Sequence, residues 1–217
     1  MVTRIIALLQ REIKVEWRQN YALSGVLLFI AMITFIVYKA FNRFTPMEWL
    51  VMLWIIVLFA GLNAIVKSFV QEDAGTYRYY YGLIDPLELV LAKLIYNIAL
   101  LGLLFLIAVF LMAFFGGNPI RIPWLFWSSA GLGIVGIGTV FTLVSVMSAA
   151  GSGSSTLMSI MALPLILPIL LTLIKVTADA LGLISDSDVD TDLLILGAID
   201  LLMLGLTLIL FPLVWKS

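Results

Sequence analysis

The sequence predicts an all-α membrane protein: six transmembrane helices preceded by a short amphipathic helix lying in the membrane interface. Three observations predict it. Of 217 residues, 63% are hydrophobic and only 12% charged, with mean hydropathy +1.18, whereas a soluble domain is usually nearer half apolar and a quarter charged. Six apolar runs each reach or approach the roughly 20 residues that cross a bilayer. The opening residues are basic and amphipathic rather than continuously apolar.

The first element covers residues 4–18. Ile5, Leu9, Ile13 and Trp17 recur every four residues and form one apolar stripe, while Arg4, Arg11, Lys14 and Arg18 fall mostly on other faces. That pattern fits a helix in the headgroup plane; the alternative is a plain extension of the first span. MVTRIIALLQREIKVEWR has neither the apolar core nor the small-residue cleavage site of a signal peptide. The chain thus divides into an interfacial helix, 1–20, and a six-helix domain, 21–217.

The spans are read at Ala22–Tyr38, Trp49–Val66, Leu94–Phe115, Trp124–Ala149, Leu157–Val176 and Leu193–Val214. Each must be helical, because an unpaired backbone amide in hydrocarbon has no water to bond. The fifth contains Pro164 and Pro168, which remove backbone donors and predict a kinked or broken helix. Asn63 and Asn97, in or near spans, are read as bridges between helices. Asp200 lies inside the sixth span, where an acid is costly and is a functional candidate by default. The competing reading is an acid hydrogen-bonded to a hydroxyl or amide of a neighbouring helix.

Basic residues set the orientation. One side carries Arg4, Arg11, Lys14, Arg18, Lys67, Arg78, Lys93 and Lys216; the other carries Lys39, Arg43, Arg121 and Lys175. The larger set predicts that both termini and the segment 67–93 are cytoplasmic, with the acidic SDSDVDTD outside.

Composition excludes several chemistries. With no Cys and no His, the chain has no disulfide, no thiol or Ser-His catalysis, no zinc site of the usual kind and no histidine-ligated haem. A net charge of −1 gives no case for nucleic acid. DSDVDTD is no EF-hand, because Thr191 and Gly197 stand where that loop needs Gly and Glu. Gly151-Ser152-Gly153-Ser154-Ser155 lacks the Gly-Lys-Ser/Thr of a phosphate loop and reads as a turn of small residues between helices. With no Walker motif, ATP can energise this protein only through another chain.

The segment FVQEDAGTYRYYYGLIDPLELVLAK, residues 69–93, holds most of the strong polarity of the first half. It mixes Glu72, Asp73 and Arg78 with Tyr77, Tyr79, Tyr80 and Tyr81. Pro86 opens a short amphipathic piece, LELVLAK, expected as a separate helix parallel to the membrane. Aromatics interspersed with charge suit a docking surface; the alternative is an interfacial tyrosine belt.

Taken together, RIIALLQREIKVEWRQ, FVQEDAGTYRYYYGLIDPLELVLAK and GSGSSTLMSIMALPLILPILL resemble the CcmB family, called haem exporter B of the cytochrome c maturation system. The resemblance covers nearly the whole chain, in length and span count. It implies an ABC-2 type permease fold in the bacterial inner membrane, without catalytic activity or cofactor of its own. It implies a CcmA-type ATPase partner, for which the 67–93 coupling segment read above is the docking surface, with CcmC-type and small CcmD-type partners and two copies per complex. The implied work is to couple ATP hydrolysis to haem delivery, by release of the haem-loaded CcmE-type chaperone from the CcmC-type protein. Asp200 takes no role from the resemblance. The competing function is a secondary transporter or channel that needs no ATPase, with Asp200 as its charged site.

Overall fold

The computed structural model describes residues 2–18, 20–41, 44–70, 85–150, 155–184 and 188–215. Among them lie seven helices: α1 Val2–Arg18, α2 Asn20–Phe41, α3 Pro46–Val70, α4 Pro86–Gly116, α5 Pro123–Ala150, α6 Ser155–Ala180 and α7 Val189–Trp215. Six of these, α2 to α7, are long and apolar enough to cross a membrane.

Local chemistry fixes several boundaries. Thr45 and Glu48 form a reciprocal capping box before α3: the Glu48 amide donates to Thr45 Oγ1 at 3.3 Å and the Thr45 amide to Glu48 Oε2 at 2.8 Å. Asp85 caps α4 by accepting from the Leu87 amide at 3.0 Å, and Pro86 sits where a missing amide costs nothing. At the end of α6 the Gly182 amide bonds Asp179 and the Leu183 amide bonds Ala178. This Schellman stop needs a left-handed residue, which Gly182 supplies at φ 68°.

The core is α5. It packs against α3, α4, α6 and α7 and is the most buried of the six spans. Trp54, Phe105 and Phe126 stack through the bundle, with ring centroids 5.5 and 6.1 Å apart. Trp54 Nε1 also donates to Thr177 Oγ1, tying α3 to α6. α2 is the least buried span and turns Leu28, Met32, Phe35 and Ile36 outward, as lipid-facing helices do.

The loops after α4 and α6 meet at one end, where the Arg121 and Ile122 amides both donate to the Ala180 carbonyl. α1 packs on α4 and, less, on α2, at the opposite end beside the start of α4.

Three expectations change. LELVLAK is not a separate surface helix: residues 86–93 are the first turns of α4, which runs unbroken to Gly116. Its charges are paired against α1, so nothing forces the helix to break. Asn63 does not bridge helices; it donates to the Phe59 carbonyl of its own helix at 2.8 Å. Asn97 does bridge, donating to Thr142 Oγ1 at 2.9 Å. Finally, the bundle face of α1 is Ile5, Leu8, Leu9 and Glu12, rather than a stripe running through Ile13. Ile6 and Ile13 are half-exposed on one flank.

Candidate functional site: a buried ionic junction

The strongest polar feature is where α1 crosses the start of α4. Glu88 lies in the first turn of α4, where a helix N-terminus favours negative charge, and it is buried. Arg4 of α1 reaches it, Nη1 to Oε2 at 3.7 Å. Lys93 is 3% exposed; its Nζ lies 3.7 Å from Oε1 of Glu12 in α1. Arg11 approaches the same Glu12 oxygen at 3.5 Å.

Helical periodicity explains how α1 presents these groups. Glu12 follows Leu8 by one turn on the packed face, so its carboxylate is carried into the contact rather than into water. Arg4 and Arg11, two turns apart, rise along one flank; Ile6 and Ile13 occupy the other.

An isolated buried charge is expensive, and removing one member of such a pair typically costs about 3–5 kcal/mol. Separating α1 from α4 would therefore break the Lys93–Glu12 and Arg4–Glu88 contacts together. Among the described residues the junction offers two carboxylates as metal-ligating groups, and no group of three His, Cys, Asp or Glu side chains fit for a metal occurs. It can hold helices in register and pass on movement.

The junction stands at the exit of the polar segment. Glu72, Asp73, Tyr77, Arg78, Tyr79, Tyr80 and Tyr81 lie outside the described residues. Pro86 is the first residue of α4, immediately after the Asp85 cap. Pro164 and Pro168 lie within α6, which runs through both without a break; the Pro168 carbonyl accepts from Thr172 Oγ1. Asp200 is buried in α7, far from the junction in the fold, and neither carboxylate oxygen has a hydrogen-bond partner among the described residues. At the opposite end Lys175 pairs with Asp192 at 2.7 Å, which joins α6 to α7.

The CcmB protein family matches residues 3–213, from the first turn of α1 almost to the end of α7. The chain belongs to the CcmB family. Members of the CcmB family are membrane subunits of the haem exporter of cytochrome c maturation, working in a system with an ATPase and other Ccm proteins. They are transporter subunits, generally non-catalytic. A comparison with curated proteins gave no match.

In this CcmB-family chain, Glu12 and Lys93 are the functional candidates that sequence reasoning missed. Signals existed for both. Glu12 is an acid on the packed side of a helix whose other charges are mostly basic, and Lys93 interrupts the apolar run LVLAKLIY. A charge inside an apolar pattern asks for a partner, and these two meet at 3.7 Å.

Proposed function

We propose that this chain is the ATP-coupled membrane subunit of a cytochrome c maturation complex, and that α1 and the first turns of α4 are its input. A CcmA-type ATPase docks on the segment 69–85 from the cytoplasm. Glu72, Asp73 and Arg78 orient it, and Tyr77 with Tyr79, Tyr80 and Tyr81 supply buried contact. Movement of that segment pulls on the capped start of α4, and the ionic junction makes α1 follow. The bundle thereby turns hydrolysis into release of a haem-loaded CcmE-type chaperone from a CcmC-type partner that a CcmD-type protein accompanies. Two copies of the chain form the complex in the bacterial inner membrane, with both termini cytoplasmic and α1 in the headgroup plane, Ile6 and Ile13 toward the acyl chains.

The observation that carries this reading is the burial of Lys93 and Glu12 against each other directly after the polar segment. A hinge or loose loop at that point would lose the movement; a paired and buried contact transmits it. The test is copurification after gentle detergent extraction. Tyr79, Tyr80 and Tyr81 replaced together by Ala should release the ATPase, since truncating a buried aromatic anchor typically costs at least about 2 kcal/mol, roughly 30-fold in affinity. Wild-type retention of the ATPase by a normally inserted triple variant, with normal cytochrome c assembly, overturns the reading.

A further inference from the structure

Asp200 has no part in that scheme, and among the described residues it is the acid with both carboxylate oxygens buried and without a hydrogen-bond partner. Counting from Val189 puts it about 16 Å along α7. It is 3% exposed. A Cβ added to Gly136 of α5 would collide with its Oδ1, and the same Cβ would lie 3.2 Å from Ile169 Cδ1 of α6. Three helices thus close on one carboxyl group, at a notch that only glycine leaves open. Counting from Pro123 places Gly136 about 20 Å along α5, and counting back from Ala180 places Ile169 about 16 Å along α6. The three helices therefore agree on a depth near the middle of a hydrocarbon layer about 30 Å thick.

Among the described residues no donor reaches either carboxylate oxygen. The hydroxyls of Thr139 on α5 and Thr207 on α7 are turned onto their own helices, Thr139 Oγ1 to Val135 at 2.7 Å and Thr207 Oγ1 to Met203 at 2.8 Å. α5 carries no titratable side chain. α6 carries only Lys175 and Asp179, toward its far end, and Lys175 is engaged by Asp192. On α4 the titratable groups are Glu88, Lys93 and Tyr96, all before the Asn97–Thr142 bridge. That bridge lies about 9 Å along α5 from Gly136, toward the α1 end. An ionised carboxylate without donors in such a place is strongly unfavourable; the neutral acid removes most of that penalty. A metal cation needs a cage of several oxygens, whereas a proton needs one.

We propose that Asp200 is an intramembrane proton-binding site at the meeting of α5, α6 and α7. The carboxyl group holds its proton while the helices are closed on it. When the seam at Gly136 opens, the proton passes to water, leaving carboxylate and hydronium. α6 is the wall built to give way, because Pro164 and Pro168 each remove one of its backbone hydrogen bonds beside Ile169. This inference does not depend on the ATPase reading.

The full chain in lipid nanodiscs tests it by infrared spectroscopy and thermal melting, against Asp200→Asn. The wild type should show a protonated-carboxyl C=O band that the variant lacks and that alkaline buffer abolishes. Loss of the proton should also register in the melting temperature, so the wild-type profile should depend on pH where that of Asp200→Asn stays flat. If the Asn variant does not accumulate, Asp200→Leu serves as the neutral reference. No band difference between wild type and variant, or parallel melting profiles, overturns the proposal. So does stabilisation of the wild type, but not the variant, by sodium over choline at equal ionic strength, which assigns the site to a metal cation.

Discussion

Replacing Lys93 by Met tests whether the junction acts as a unit. Lys93 Nζ and Glu12 Oε1 are 3.7 Å apart, a gross attraction of about 4–5 kcal/mol at an effective dielectric of about 20. Desolvating both groups offsets most of that, so the intact pair adds little net stability. Losing one partner is different, because Glu12 stays buried. Arg11 remains 3.5 Å from it but is one-third exposed, and exposed pairs are worth at most about 1 kcal/mol. We expect Lys93→Met to lose about 2–3 kcal/mol, somewhat less than a fully stranded buried charge. For a chain of this size that is a fall of roughly 5–10 °C in melting temperature. The double variant Lys93→Met with Glu12→Met should recover at least about 1 kcal/mol of the summed single losses. The assay is thermal unfolding of the four proteins in one detergent. Additive losses refute the pairing; a Lys93→Met protein that melts normally refutes the burial argument as well.

Gly136→Ala should destabilise the bundle by about 1–3 kcal/mol, the usual penalty for overpacking, whereas Gly205→Ala in α7, whose Cβ meets nothing within 4 Å, should melt as wild type does. A single cysteine at Ser187, in a chain with none of its own, should react with impermeant reagent from outside only; reaction from the cytoplasmic side alone would reverse the topology. The purified subunit, freed of partners, should give no bis-histidine haem spectrum, because it has no histidine.

The six spans were legible because run length alone signals a crossing. The start of α4 was not, and the reason is Lys93 and Glu88. Hydropathy counts them as interruptions and moves the boundary to Leu94, yet pairing with Glu12 and Arg4 lets the helix begin at Pro86. Asn63 and Asn97 look alike in sequence. Only packing separates them, since Asn97 faces Thr142 across the α4–α5 contact while Asn63 is exposed and donates to the Phe59 carbonyl of its own helix. Asp200 was visible as an acid out of place, but the glycine notch that receives it depends on α5 and α7 meeting, which no single run of residues records. The tyrosine stretch lies outside the described residues, so its role rests on the sequence.

The burial of α5 also bears on how the protein enters the membrane. α5 is the least apolar of the six spans and the most enclosed, while α4, directly before it, is the longest and most apolar. The two are joined by only the short link 117–122. A strongly lipid-soluble helix therefore emerges first and offers a partner surface to a weakly lipid-soluble one, as a single antiparallel hairpin. On this account α5 waits at the translocation machinery for α6 and α7 to cover its glycine-lined face. Mutations on those later helices would then show themselves as failed membrane integration of α5, a helix they do not alter.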